Sequence, residues 1–402
     1  MIKLTRVNLC SIIAGFTLLP WSNAFADDPG FLGQPGSINR EAKVHGHEED
    51  NRLTGNWGGF RDSMESHGIT FEAVYTGEFV SNFDRGLVNQ NKETIYLDNL
   101  DLTLTVDSEK AGLWPGGTLF IYALRNRGKN PTEDVIGDLH TVSNIEAPDK
   151  FLLYEAWYEQ QFTDSFSALV GFHDLNSEFY VSEYSSLFLN STPGIGPELS
   201  GNIAPSIFPK AGLAVRLHYD PTDNWYVQAA VYDGDPATRG FQSDEGEMYI
   251  VESGFSSSTG TYKVGYWEHT DDIIFNGDRF NKNYGHYTVI DQKIIDLGND
   301  RVVGGFFRWG DVPGNRNEIT SHVDLGLHLH GLIPTRHEDD LGIAYIRANT
   351  RTGHEKVIEL TYRIAVFPWL AIQPSYQRIE NPGADRDNSA IDVGLLRFEF
   401  TL

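Results

Sequence analysis

The chain of 402 residues contains a single cysteine, Cys10, so no disulfide can form within it. This excludes the class of small secreted domains whose folds depend on disulfide bonds for stability. Cys10 lies in an N-terminal stretch with the order of a secretory signal, in which Lys3 and Arg6 precede an apolar run and an Ala-Phe-Ala cleavage pattern. We therefore predict a signal peptide over residues 1–26 and export into the envelope of a Gram-negative cell.

Long apolar runs and positive charges are also scarce. Beyond the predicted signal, no apolar run approaches the roughly 18 residues of a membrane helix. This excludes helical spans but not a membrane barrel, whose strands expose only every second residue to lipid. The 31 basic residues are outnumbered by 56 acidic ones, and the formal net charge of −25 becomes −27 once Lys3 and Arg6 are removed. Such a surface repels a phosphate backbone, so nucleic acid is not expected as a partner.

Composition breaks are missing after about residue 53, so residues 53–402 are predicted to form one domain. The segment before it, residues 27–52, is polar and rich in Gly and Pro, which predicts a flexible periplasmic lead-in. Its histidines, His45 and His47, stand among acidic residues. A solvated segment explains them without the fixed geometry that a metal site needs.

Catalytic and metal-binding motifs are scarce as well. No GxSxG nucleophile motif occurs, and the pair His328 and His330 lacks an evident third ligand. Acidic segments at 233–235 and 276–278 are compatible with calcium but more typical of ordinary turns. We therefore predict no catalytic residue, no metal site and no cofactor, and we do not expect an enzyme.

What the chain has in abundance is alternation of apolar and polar residues. In the segment 357–380, two strand-like runs meet at a turn that carries Phe367 and Trp369. Side chains along a strand point to opposite sides, so the first run places Leu360 on an apolar wall and Glu359 on a polar wall. Aromatic rings at the turn are natural at a lipid headgroup boundary. The segment is therefore predicted to be a barrel hairpin with a lipid face and a water face.

Similar runs recur to the end of the chain. Connections after even-numbered runs are mostly short, and those after odd-numbered runs are longer, the longest lying near 176–208. Outer-membrane barrels show this asymmetry between short periplasmic turns and long external loops. In a soluble sandwich or propeller, loop length is not expected to alternate with the parity of the strands. We therefore predict an all-β fold, a transmembrane antiparallel β-barrel of about sixteen strands. The predicted strands are approximately 69–81, 95–107, 117–126, 150–162, 166–175, 209–219, 224–233, 247–256, 260–269, 284–296, 301–309, 319–330, 340–348, 354–364, 369–379 and 391–402.

Several segments, taken in order, carry a family resemblance. They are LTGNWGGFRDSMESHGITF at 53–71, GLWPGGTLFIYAL at 112–124, SNIEAP at 143–148, LLYEAWYEQQF with the following GFHDLNSEF, HGLIPTRHEDDLGIAY, EKVIELTY and PWLAIQP. Together they resemble the carbohydrate-selective porins of the OprB type. The resemblance implies a sixteen-stranded barrel in the Gram-negative outer membrane that admits monosaccharides, glucose above all, by facilitated diffusion. Its partners would be outer-membrane lipids and the barrel assembly machinery, and a homo-oligomer is left open. The final Leu402 departs from the aromatic residue that more often ends such barrels.

A sugar is a ring of hydroxyls with an apolar face, so a selective pore needs hydrogen-bonding groups and an aromatic surface that do not bind too tightly. Opposed arginines and carboxylates in a narrow pore would orient the hydroxyls of a neutral ligand. Strand parity is less regular around Arg125 and Arg347 than elsewhere. The substrate-binding candidates predicted to line the pore are Arg216, Arg308, Arg363, Arg125, Arg347, Glu155, Glu159, Glu359, Asp101, Asp324, Trp157 and Trp267.

Alternatives remain for the site and for the function. A register error of one residue would move Trp157 and Trp267 from the pore to the aromatic belt at the membrane interface. The SNIEAP segment, 143–148, and the connection 176–208 are compatible with folding into the barrel or with covering it as external lids. The alternative functions are a general porin without sugar selectivity, or a plugged barrel with enzymatic or surface-binding activity.

Overall fold

The computed structural model describes residues 51–402. The signal peptide predicted for residues 1–26, and the histidine pair of the predicted lead-in, lie outside the described residues. In chain order the helices and strands are α1 (Phe60–Ser66), β1 (Ile69–Asn82), β2 (Thr94–Asp107), β3 (Gly117–Gly128), β4 (Lys150–Thr163), β5 (Phe166–His173), α2 (Pro197–Ser200), β6 (Gly212–Thr222), β7 (Trp225–Asp233), β8 (Glu247–Ser257), β9 (Gly260–His269), β10 (Ile273–Phe275), β11 (Asp278–Phe280), β12 (Asn283–Asp296), β13 (Val302–Asp311), β14 (Ile319–His330), β15 (Asp340–Thr350), β16 (His354–Phe367), β17 (Leu370–Glu380) and β18 (Ile391–Thr401). Short 3-10 turns cover Trp57–Gly59, Leu175–Ser177, Tyr184–Leu187 and Pro382–Ala384, and a π turn covers Thr132–Ile136.

Sixteen of these strands close into one antiparallel barrel. Each barrel strand pairs with its neighbours in the chain, β9 pairs with β12 across the small β10–β11 hairpin, and β1 pairs with β18 from Val74 opposite Thr401 onward. Closure leaves the barrel without an unpaired edge. The predicted fold and strand count are therefore confirmed, and the predicted strand ends differ from the observed ones by at most three residues.

Alternation along each strand sorts the side chains onto two faces. Leu360 on β16 is 49% exposed on the outer face, whereas Glu359 and Thr361 on either side of it are fully buried within the barrel. On β14, Leu325 is likewise exposed and Asp324 is buried. A continuous exposed apolar face is unfavourable in water, so lipid covers the outer wall. The two faces predicted for the segment around β16 are confirmed.

The two ends of the barrel differ in the length of their connections. At one end, called the turn end, strands are joined by as few as two residues, as at 164–165 and 368–369. At the other end, called the loop end, the connections include 129–149 and 174–211, although 351–353 is short. The asymmetry predicted from the sequence is confirmed.

Aromatic side chains gather at the turn end. The ring centroids of Phe367 and Trp369 lie 4.9 Å apart, and those of Trp369 and Phe400 lie 6.3 Å apart. A second pair, Trp225 and Phe255, lies 5.1 Å apart near another turn. Rings at this level are typical of the girdle at a headgroup boundary, so the turn at 368–369 carries the aromatic chemistry predicted for it.

Adjacent positions on β2 test the assigned faces. Thr103 shares the inner face with Asp101, and Leu102 points to the lipid side. In outer-membrane vesicles of a Cys10→Ser background, we expect a membrane-impermeant maleimide to label Thr103→Cys and to leave Leu102→Cys unlabelled. Both variants should keep the heat-dependent gel shift of a folded barrel. Labelling of the Leu102→Cys protein alone would contradict the assigned faces.

Candidate functional site

The longest connection, residues 174–211 between β5 and β6, folds into the barrel and is called the long loop. Inward-facing side chains of the wall bind its backbone groups along most of its length. A buried backbone group without a partner costs free energy, so these bonds make the inserted position stable. Of the two positions left open by the sequence, the external lid is wrong for this loop. The bonds join Asp174 N to Glu155 (2.9 Å), Tyr180 N to Glu252 (3.0 Å), Lys263 Nζ to Val181 O (2.8 Å), Glu183 N to Asp291 (3.0 Å), Leu189 N to Glu359 (2.8 Å), Gln373 Nε2 to Leu187 O (2.7 Å), and Arg308 to Thr192 O and Gly194 O (2.9 and 3.0 Å).

A buried ionic cluster holds the middle of the long loop. Nη1 of Arg308 lies 3.4 Å from Oδ2 of Asp324, and Nε2 of His322 lies 3.6 Å from Oδ1 of the same carboxylate. Nδ1 of His322 lies 2.5 Å from Oε2 of Glu198 in α2, and the hydroxyl of Tyr180 donates to Oε1 of the same carboxylate (2.7 Å). Burial opposes ionisation of Glu198, but His322 beside it holds the pKa of Glu198 below its usual range. Charges of loop and wall are thus withdrawn from water together.

Apolar packing supports the same contact. Phe179 and Leu199 of the long loop pack with Trp267 and Tyr287 of the wall. The ring of Tyr180 stacks on that of Tyr287 at 4.0 Å between centroids. Burial of one large apolar side chain contributes about 1.5–3 kcal/mol. The apolar stretch of the longest predicted connection is therefore the part of the loop that packs inside the barrel.

The connection between β3 and β4, residues 129–149, is called the second loop and lies beside the long loop. N of Asn144 donates to the carbonyl of Leu189 in the long loop (2.8 Å), and Arg397 on β18 donates to Oδ1 of Asn144 (2.7 Å). Burial raises the pKa of Glu146 to about 7, although backbone N–H groups bind its carboxylate. The SNIEAP segment thus also folds inward, and the two loops together narrow the barrel.

Five of the predicted pore-lining residues are buried beneath the loops instead of facing open water. They point inward as predicted, but their polar atoms bind the long loop or its partners. Arg216, for example, donates to Glu178 of the long loop (2.7 and 2.6 Å) and to Glu159 (2.9 Å). Strand parity identifies the inner face but cannot show which inner residues a distant loop will cover. The five are Arg216, Arg308, Glu155, Glu359 and Asp324.

The tryptophans Trp157 and Trp267 both lie on the inner side of the wall. Trp267 is fully buried against the long loop, and Trp157 stacks on Phe120 at 4.9 Å while its Nε1 donates to Glu155 (3.2 Å). The alternative position in an interface belt is therefore wrong for both. Their role as sugar platforms stays a prediction.

Arg125 and Arg347 lie on the outer face, so the prediction that they line the pore is wrong. Arg125 stands opposite Phe151, which is 63% exposed on the lipid side. Leu124 and Ile346, which precede the two arginines, are fully buried on the inner face beneath the loops. Because the loops cover these strands from inside, apolar residues occur on both of their faces, and this obscured the parity in the sequence.

A smaller set of predicted residues stays partly accessible inside the barrel. Nη2 of Arg363 lies 3.1 Å from Oε1 of Glu399, and 19% and 20% of these side chains are exposed. Asp101 accepts a hydrogen bond from the hydroxyl of Tyr122 (2.7 Å), and Glu159 is partly exposed. Glu399 was not among the predicted residues, although strand parity on β18 marks it as inward-facing. This pair is the clearest accessible combination of opposite charges.

Residues 51–402 were compared with two further features, a cluster of metal ligands and a membrane-spanning helix. No group of three or more His, Cys, Asp or Glu side chains in that range could hold a metal ion, and no helix there is long and apolar enough to cross a membrane. His328 and His330 both bind Oδ1 of Asp340 (2.7 and 2.8 Å). Asn276 and Gly277 form the tight turn of the β10–β11 hairpin with φ of 52° and 89°, as an ordinary turn does.

A closed sixteen-stranded barrel with an apolar outside, a polar inside and loops folded into it is the architecture of an outer-membrane porin. Residues 91–402 match the family described as "Carbohydrate-selective porin, OprB family". The chain belongs to this family, as the resemblance in its sequence indicated. It is therefore a carbohydrate porin of the Gram-negative outer membrane.

Known proteins agree with this assignment. The chain is 24% identical over 416 residues to Porin B of Pseudomonas aeruginosa, covering 85% of this chain and 90% of that protein. It is 22% identical to the putative porin QuiX of Acinetobacter baylyi, covering 83% of this chain and 89% of that protein. Among solved structures, OprB of Pseudomonas putida at high pH matches with a TM-score of 0.80 and 21% identity, covering 88% of this chain and 99% of that one.

Removing one loop anchor should widen the pore. Arg308→Ala deletes the donor to two carbonyl groups of the long loop and removes the guanidinium partner of the buried Asp324, which leaves His322 as the basic group beside that carboxylate, a loss of about 3–5 kcal/mol. We expect a larger and noisier single-channel conductance in planar bilayers.

The matched control for this variant is Arg363→Ala, which also removes an inward arginine but one that pairs with Glu399 on the wall. Its conductance should change through charge alone and stay as quiet as that of the wild type. A wild-type conductance for the Arg308→Ala protein would contradict the anchoring role.

Proposed function

We propose that the chain admits monosaccharides, glucose above all, by facilitated diffusion. The observation that carries the proposal is the anchoring of two loops against the inner wall, which narrows the barrel while charged groups stay accessible. In a narrow pore a solute must contact the wall, where it exchanges bonds to water for bonds to side chains. Partly exposed groups can make this exchange without holding the sugar too tightly.

Two roles are proposed for the residues predicted from the sequence. Arg363 with Glu399, and the carboxylates of Asp101 and Glu159, would orient sugar hydroxyls, because they are inward-facing and partly exposed. The buried residues, such as Arg308, would act indirectly by fixing the loop that sets the width of the pore. This division is supported by the burial and the bonding partners of each group.

The biogenesis of the chain is also part of the proposal. Residues 1–26 would direct export and be removed, residues 27–52 would remain as a periplasmic lead-in, and residues 53–402 would be inserted by the barrel assembly machinery. Outer-membrane lipids would cover the apolar outer face, and association into a homo-oligomer is compatible with this exposed wall. Two features of the sequence support this division. The N-terminal stretch has the charged, apolar and small-residue order of a signal peptide, and the alternating strands begin at residue 69.

Transport by the purified protein tests the proposal. In liposome swelling we expect glucose to enter faster than disaccharides, and in planar bilayers we expect millimolar sugar to reduce the ion conductance because both share one narrow path. A conducting pore that ignores every sugar would reduce the function to that of a general porin. A protein without any conductance would support the plugged barrel instead.

Removal of the accessible cation should weaken the interaction with sugar. Arg363→Gln keeps much of the side-chain length but removes the charge that faces Glu399. A hydrogen bond to a charged group contributes about 1.5–3 kcal/mol, so the sugar concentration that halves the conductance should rise about tenfold or more. Lys110→Gln, at the turn end, is the control and should leave this concentration unchanged. An equal response of both variants would refute the role of Arg363.

A further inference from the structure

Cations point outward at the loop end of β15, β16 and β17, directly above the apolar belt of the barrel. In the belt, Ile343 opposes Leu360, which in turn opposes Tyr376, and all three side chains are exposed. Closer to the loop end, Arg347 opposes Lys356 on the same outer face. The barrel thus changes from apolar to cationic within a few residues along each strand.

The cationic rim is defined as Arg347, Lys356 and Arg378. Arg347 and Lys356 are like charges placed directly opposite each other on paired strands, an arrangement that destabilises a sheet unless an anion compensates it. Arg378 follows on β17, where it opposes Ile358 one level closer to the belt. The side chains of Lys356 and Arg378 are 30% and 44% exposed.

Two of the three cations of the rim pair with carboxylates, and the third does not. Nζ of Lys356 lies 3.7 Å from Glu380, and Arg378 binds Asp392 (2.8 and 3.1 Å). Nε of Arg347 donates to Asn349 (2.9 Å), which is neutral. Arg347 is therefore the one cation of the rim without a carboxylate partner among residues 51–402, and it faces Lys356 directly.

We propose that the cationic rim binds the phosphorylated headgroup of a lipid in the outer leaflet. An anion between Arg347 and Lys356 would relieve their repulsion, and a guanidinium can hold a phosphate through two parallel hydrogen bonds. Cations just outside a membrane's apolar layer attract anionic headgroups in the same way. Because the rim is continuous with the belt, the acyl chains of the same molecule would lie along Ile343 and Leu360.

A lipid-binding measurement on the folded porin tests this proposal. Native mass spectrometry would compare three probes added to the detergent-purified protein: bisphosphorylated lipid A, the same lipid after removal of its phosphates, and inorganic phosphate. We expect adducts with the first probe, few with the second, and no displacement of the lipid by inorganic phosphate at equal concentration. Displacement by inorganic phosphate would overturn the proposal, because the rim would then be a site for a free anion.

The matched variants are the doubles Arg347→Gln/Lys356→Gln and Lys110→Gln/Lys293→Gln, which remove two cations each, at the rim and at the turn end. The rim double should lose apparent affinity for bisphosphorylated lipid A by about tenfold or more, and the turn-end double should bind as the wild type does. Heat-dependent gel shifts and single-channel conductance would show that both barrels are folded. A folded rim double that binds lipid A like the wild type, or equal binding of the dephosphorylated lipid, would overturn the proposal.

Discussion

Every backbone N–H and C=O group that enters the barrel must find a partner, because a buried polar group without one costs free energy. The long loop meets this constraint with side chains of the wall. Glu359 accepts hydrogen bonds from two backbone N–H groups of the loop, and Arg308 donates to two of the loop's carbonyl groups. Such bonds connect residues more than a hundred positions apart in the chain, so the wall and the loop form one structure. The width of the pore depends on these contacts.

This constraint divides the polar residues of the interior into two groups. Arg216 and Asp324 are withdrawn from water and paired, which suits a fixed support but leaves little of either group for a passing solute. Arg363 and Glu399 pair with each other while a fifth of each side chain stays accessible. Partial exposure lowers the cost of exchanging a partner for a sugar hydroxyl, since the groups remain solvated. Width and selectivity can therefore be adjusted by different residues.

The strands could be predicted from the sequence because their cause is local. Lipid on one side and polar groups on the other impose a period of two, as around Leu360, and closure follows from enough such strands. The site could be predicted only in part, because its cause is long-range. Parity placed Glu359 and Trp267 on the inner face, but the loop that covers them lies far away in the chain. Where a covering loop makes the inner face apolar as well, as at Leu124, both faces of the strand are apolar and the sequence no longer shows which one points inward.

The charged and aromatic residues of the outer wall also fix the height of the barrel in the membrane. An outward cation costs about 2–4 kcal/mol at the middle of the bilayer but about 0–1 kcal/mol near its surface, so Lys356 marks one headgroup level and the ring of Phe367 marks the other. Both lie on β16, separated by 11 residues. At about 3.3 Å per residue and a tilt of about 40°, this separation spans about 28 Å, close to the roughly 25 Å of an outer-membrane apolar band. The cationic rim therefore lies where the headgroups of the outer leaflet begin.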